Sequence, residues 1–358
     1  MALQLSRRRK TAFVLAAILL PLAAVAIVVG ITEYRFHGHG REELWGYVNF
    51  HGYRGPVLGR KASGEFRVAM IGGSTVYGQG VETDQTIPAY LEQRLRQSGR
   101  AVTVANLGYM ADGVYADGLS LTDYRYLDYD LAVLYEGYND LFNIPNYYSF
   151  RHRSLVFRLT GYFPMFPVVF AEKAKSLRYH GDLAAAYRGD RPVVPANPAA
   201  RASAAALEFA ASLDRQMNDS MRQVGEQAAE GACGHWTFYC EHVAENVQTA
   251  LSSGADVLVV VQPFLPALDD PSDGPVRAAL HRSQTESTLS YLSQRFGSDV
   301  RLHVLNLGEA IDLRQTTYRS DNLHLTSQGN AVIADRLIAP ITKIAADRAH
   351  RSQSPNHS

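Results

Sequence analysis

RVAMIGGSTVYGQGV, residues 67–81, runs from an apolar segment into two glycines and then directly into a hydroxyl, Ser74. A short apolar run bounded by turn residues is the pattern of a strand buried on both faces. Gly72 and Gly73 end that strand. Taken alone, a serine after two glycines is a turn or helix-cap residue. Its meaning depends on what the rest of the chain delivers to the same place.

Downstream, helical and strand patterns alternate. Thr83–Gln97 has helical spacing, with Ile87, Tyr90, Leu91 and Leu95 on one face and Thr83 or Asp84 as the expected N-cap. AVTVANLG (101–108) reads as a second strand, Ala116–Tyr126 as a helix and LAVLYEG (131–137) as a third strand. The alternation then breaks. Residues 141–200 are rich in aromatics and proline, and the whole interruption, expected at about 141–254, includes helical patterns at 201–229 and 237–252. Long insertions of this kind serve as lids or binding loops. ADVLVVVQP (255–263) is the clearest buried strand. Val276–Phe296 (helix), RLHVLNLG (301–308, strand) and Thr326–Ala346 (helix) follow. This order predicts a parallel sheet with helices on both faces, which binds ligands at the carboxyl ends of its strands.

The 358 residues suffice for one large α/β domain, here expected over 65–348. Lysine plus arginine and aspartate plus glutamate each number 35, so no net basic surface calls for nucleic acid. The first 31 residues differ in kind. After Arg7, Arg8, Arg9 and Lys10, the run Ala12–Ile31 is continuously apolar apart from Pro21 and Gly30. Its length matches a hydrocarbon core of about 30 Å. The basic cluster before it predicts a cytoplasmic N-terminus (1–11), a membrane anchor (12–31) and an exported remainder. A cleaved signal peptide, with AVA (24–26) as the cleavage site, is the alternative, and it too exports the chain. Residues 32–64 read as a juxtamembrane connector and 349–358 as a disordered tail. Two cysteines, Cys233 and Cys240, stand close together, and in an exported protein they are expected to form a short-loop disulfide. With His235 and His242 they fit no common zinc spacing.

Four polar blocks fall at the predicted strand ends: Ser74 after the first, Asn106-Leu107-Gly108 after the second, GYND (137–140) after the third and DNLH (321–324) after the last. Each has a plain turn or cap reading, but together they supply a reaction. A serine hydroxyl needs a base, which His324 provides through Nε2. His324 needs a carboxylate on Nδ1–H, which Asp321 provides three residues earlier. An oxyanion needs donors, available from the N–H groups of Ser74 and Gly108 and the amide of Asn139. Glu136 is a weaker candidate to line the pocket, Asp140 to brace its loop, and Gln262 and Pro263 to border the site. Arg151–Phe170, mixed basic and apolar, is a candidate to rest on a membrane surface, cap the site or pack on the core. No phosphate-binding loop or metalloprotease helix motif is present, and neither metal nor cofactor is expected.

In these blocks the sequence resembles the SGNH (GDSL-type) hydrolases, named for Ser, Gly, Asn and His in four blocks. GGST stands for the first block, NLGYMADG for the second, GYND for the third and DNLH for the fourth. The resemblance covers about 66–145 and 255–345. It implies a flavodoxin-like three-layer α/β/α fold and an esterase with Ser74, Asp321 and His324 as its triad and Ser74, Gly108 and Asn139 as its oxyanion hole. An acylated envelope glycan is the implied substrate, with loss of O-acetyl groups the first expectation. Gly73 departs from the family's aspartate, which sets the chain apart from lipase-like members. Two alternatives use the same fold: acyl transfer to an exopolysaccharide, and a non-catalytic envelope binding protein.

Overall fold

Five parallel strands pair in the order β2-β1-β3-β4-β5. In the computed structural model, which describes residues 7–38, 48–141, 150–179, 212, 231–264, 273–321 and 323–353, they are joined as follows. Helix α1 (Arg7–Gly38) precedes β1 (Phe66–Gly72), the short helix α2 (Ser74–Tyr77), α3 (Ile87–Gln97), β2 (Val102–Asn106) and α4 (Val114–Asp123). Next come β3 (Leu131–Tyr135), α5 (Tyr138–Leu141), α6 (Phe150–Arg153), α7 (Leu155–Thr160) and α8 (Phe166–Arg178). The chain closes with α9 (Thr237–Ser252), β4 (Asp256–Val261), α10 (Asp273–Phe296), β5 (Leu302–Asn306) and α11 (Ser327–Gln353). The helix expected at 201–229 lies outside the described residues except for residue 212. So do 39–47 of the connector, 142–149 and 180–200 of the aromatic insertion, and 354–358 of the tail.

The chain divides into two units: residues 1–41 with 164–211, and 42–163 with 212–358. In the first, Arg8–Arg35 is long and apolar enough to cross a membrane. Glu33, near the end of α1, accepts the Met165 and Phe166 N–H groups at 2.9 and 2.6 Å, satisfying donors at the start of α8.

The second unit holds the sheet. Alternation along β1 divides the core. Val68 and Met70 join Leu91 and Leu95 of α3 and Ile333, Leu337 and Ile341 of α11 in one cluster. Helices α4, α9 and α10 make up the layer on the opposite face. The strand order is flavodoxin-like, and the expected parallel α/β architecture is present. Chain placement reverses between β1 and β3, which opens a crevice at their carboxyl ends.

Three boundaries differ from expectation. Thr86, rather than Thr83 or Asp84, caps α3: its Oγ1 accepts Ala89 N–H at 3.3 Å, and Pro88, lacking an N–H, suits the first turn. Helix α11 runs past Ala346 into the expected tail because Arg348 and Arg351 both pair with the buried Asp256 below β4. Connector residues belong with the sheet as well. Tyr53 and Arg54 are buried, and Arg54 N–H bonds to Asn106 O at 3.3 Å on the outer strand.

Candidate active site

Gly72 and Gly73 let β1 turn sharply into α2, placing Ser74 on its first turn. Gly78, at φ +83, ends α2 after four residues. The Arg54 guanidinium covers the end of this turn, donating to the carbonyls of Tyr77 (2.9 Å), Gly78 (2.6 Å) and Val81 (2.6 Å). Ser74 is buried, with 9% of its surface exposed at the crevice. Its N–H, first in the helix, has no acceptor within the helix.

His324 comes from the loop between β5 and α11. That loop folds back on itself: Ser320 N–H donates to His324 O at 2.9 Å, and Thr326 N–H to Tyr318 O at 3.2 Å. Thr326 caps α11 by accepting Gly329 N–H at 3.1 Å. Across 250 residues of sequence, His324 Nε2 lies 2.9 Å from Ser74 Oγ. On its other side, Nδ1 lies 2.7 Å from Asp321 Oδ2. Asp321 Oδ1 accepts the N–H groups of Leu323 and His324, both at 2.7 Å. Burial pushes the Asp321 carboxyl up, but the bonds from His324 and from these N–H groups outweigh it and hold it at about 2. Asp321 therefore stays ionised at neutral pH and favours the tautomer with hydrogen on Nδ1, leaving Nε2 free to take a proton from Ser74.

Asn139, on α5, donates from Nδ2 to Asp112 O at 2.6 Å. The position a Gly73 Cβ would occupy is 2.5 Å from that Nδ2 and 2.9 Å from Asp112 O, so the second glycine is where Asn139 and Asp112 close over the nucleophile turn. Gly108 follows β2. Its N–H donates to Asn106 Oδ1 at 3.2 Å, an Asx-type turn that sequence reading did not separate from an oxyanion donor. Its lack of a side chain lets the loop lie against Val76 and Tyr77, where a Cβ would meet Tyr77 N at 2.4 Å.

The bordering residues fall into place around this centre. Gln262, just past β4, donates to Thr75 Oγ1 at 3.1 Å and accepts Tyr138 N–H at 2.9 Å, joining the ends of β1, β3 and β4. The Tyr138 hydroxyl bonds to Pro263 O. Asp140 accepts Val114 N–H at 3.2 Å. Glu136 lines the recess beside Ser74 with Gly73, Thr75, Tyr138, Asn139, Gln262 and Leu323, a space of about 10 Å³ that holds about one water. Burial above all, then the charges of Asp117, Asp140 and Asp112, pushes the Glu136 carboxyl well above the usual range. Burial also raises Asp140, to about 7. Cys233 and Cys240 are joined by a disulfide at the start of α9. Among the described residues, no group of three or more His, Cys, Asp or Glu side chains is placed to hold a metal.

A hydroxyl within hydrogen-bond distance of a histidine whose other ring nitrogen faces a carboxylate is an arrangement able to attack an acyl carbon. No family model and no curated protein matches the chain. Solved structures do resemble it. A lipolytic protein of the G-D-S-L family from Veillonella parvula is 10% identical, with 77% of this chain and 98% of that one covered at a TM-score of 0.43. The Clostridium thermocellum family 3 carbohydrate esterase is 12% identical, with 79% and 98% covered at 0.43. A carbohydrate acetylesterase from Sinorhizobium meliloti is 13% identical, with 78% and 99% covered at 0.40. At such identities and scores these likenesses carry no argument about activity, which rests on side-chain geometry.

Proposed function

We propose that the protein is a membrane-anchored serine esterase working outside the cytoplasm. The observation that carries this is the unbroken chain Ser74 Oγ–His324 Nε2, 2.9 Å, and His324 Nδ1–Asp321 Oδ2, 2.7 Å. Ser74 Oγ bonds to the acyl carbon while its proton passes to His324 Nε2. The carbonyl oxygen becomes an oxyanion held by Ser74 N–H and the Asn139 amide. Gly108 N–H adds to this pair by exchanging Asn106 Oδ1 for the oxyanion. As the tetrahedral centre collapses, the C–O bond to the alcohol breaks and His324 protonates the departing oxygen. Water then enters, giving its proton to His324 and its oxygen to the acyl carbon. The acid leaves and Ser74 regains its hydrogen.

The small recess beside Ser74 supports a short acyl group, acetyl being the natural size. The apolar N-terminal helix and the basic cluster before it support an exported domain, for which an O-acetylated envelope glycan is the substrate of choice. The test is acetate release from p-nitrophenyl acetate and from an O-acetylated glycan, by the full chain in detergent and by Ser74→Ala. Loss of release in a folded Ser74→Ala protein, with fluorophosphonate labelling of wild type at Ser74, is the expected result. Undiminished release by Ser74→Ala overturns the reading. Acetyl groups recovered on an added glycan acceptor instead of in water overturn hydrolysis in favour of transfer.

A further inference from the structure

We infer that Arg151 is a positioning residue for the oxyanion side of the site, an inference that rests on the esterase reading of Ser74. Arg151 lies on α6, at the start of the stretch Arg151–Phe170 for which the sequence offers a membrane-surface, capping or core-packing role, and its side chain is fully buried. The guanidinium has four acceptors. Nη1 donates to Gly52 O at 3.3 Å, and Nη2 meets Leu107 O at 3.2 Å, Asp112 Oδ2 at 3.3 Å and Ser120 Oγ at 2.7 Å. The rings of Tyr109 and Tyr124 flank it, 4.7 and 5.2 Å from the guanidinium carbon. Asp112, also buried, is its carboxylate partner.

Burying an ion pair is a poor way to gain stability, since desolvation offsets most of the attraction. What distinguishes this one is the pair of places it holds. The Leu107 carbonyl belongs to the same peptide plane as the Gly108 N–H, so fixing one fixes the direction of the other. At the far end of the loop, Asp112 binds Arg151 with its carboxylate and Asn139 Nδ2 with its backbone carbonyl, at 2.6 Å. One buried cation therefore sets both the peptide that carries Gly108 and the acceptor that orients Asn139. Between these ends, Ala111 adopts a left-handed conformation, φ 59, which a residue with a Cβ holds only where its surroundings enforce it.

The experiment compares Arg151→Lys, Arg151→Met and Asp112→Asn with wild type and Ser74→Ala, using the full chain in detergent. Lysine keeps the charge beside Asp112 but cannot reach the Leu107 carbonyl at the same time with a planar fork. Rates on p-nitrophenyl acetate are expressed per site titrated with a fluorophosphonate, so unfolded protein is not counted, and thermal unfolding is followed alongside. Expected are a fall in kcat of about 10–100-fold in the Arg151 variants with KM nearly constant, and a matching fall in the rate of Ser74 phosphonylation, which builds the same oxyanion. Asp112→Asn falls in the same direction by less. Folded variants with wild-type kcat, beside an inactive Ser74→Ala, overturn the positioning role alone. An active Ser74→Ala overturns the esterase reading instead. Failure of all three variants to fold makes Arg151 a structural brace and likewise overturns the proposal.

Discussion

Alanine at Gly73 adds one carbon where there is no room for it. A Cβ there lies 2.5 Å from Asn139 Nδ2, 2.9 Å from Asp112 O and 3.3 Å from Glu136 Oε1. The φ of Gly73, −78, lies outside the left-handed region that favours glycine. The conflict is steric: non-bonded contact settles near 3.5 Å, so the Asn139 amide has to withdraw by about 1 Å. Its bond to Asp112 O, 2.6 Å, blocks the easy route. Misplacing a reacting group by that much costs on the order of 10² in rate, and losing an oxyanion donor costs about 10²–10³. Gly73→Ala should therefore lower kcat on p-nitrophenyl acetate by about 10²-fold while KM changes by less than about threefold. Gly59→Ala, at a position with nothing within 4 Å, is the control and should match wild type. Aspartate, larger still, should be worse. A folded Gly73→Ala protein with full kcat per titrated site would refute the role given to Asn139.

Asp321→Asn should lower kcat by roughly 10³–10⁴-fold, by analogy with triads in which the amide imposes the wrong tautomer. The one oxygen of asparagine stays with the Leu323 and His324 N–H groups, so the NH₂ faces His324 Nδ1; a loss under tenfold in steady-state rates would contradict this. Stability should fall as pH rises from about 4 through about 7, because burial raises Asp140 in the folded state and the protonated form is the one folding favours. Thermal melts of Asp140→Asn should lose that part of the slope, and parallel curves would count against it. Replacing Cys233 and Cys240 by serine should cost on the order of 2 kcal/mol by loop-closure entropy, read from denaturant unfolding, and leave kcat unchanged. Gln262→Leu, which removes the bond to Thr75 Oγ1, should lower kcat without loss of the sheet's circular dichroism.

Much of this was legible in sequence because parallel strands announce themselves. Val68–Ile71, Leu131–Tyr135 and Val257–Val261 are apolar throughout, the mark of burial on both faces. The residues after them could be read as belonging to one edge without knowing the strand order. Ser74 lies just past β1 and Asp321 and His324 lie in the loop before α11, and hydrogen-bond contacts link Ser74 to His324 and His324 to Asp321. What pattern cannot show is long-range approach by residues with ordinary local roles. Arg151 reads as one charge among several in RHRSL, and nothing local says that its guanidinium reaches Leu107 O. That the Asn106 side chain takes the Gly108 N–H is a matter of rotamer, which no local pattern shows. Nor does local pattern carry α11 past Ala346, since the pairing of Arg348 and Arg351 with Asp256 joins residues about 90 positions apart.

Arg54 gives the segment before β1 a hold on the nucleophile. It closes the carbonyl end of the turn that begins at Ser74, and Tyr53 beside it is 1% exposed. A soluble version trimmed at Phe66, where the alternating pattern starts, would discard both residues and leave the Tyr77, Gly78 and Val81 carbonyls to water. Its serine would then sit on a frayed turn, and a weak rate would be misread as a poor substrate. A form of the domain that keeps this hold retains Val48 to Arg54, which pair in an antiparallel bridge.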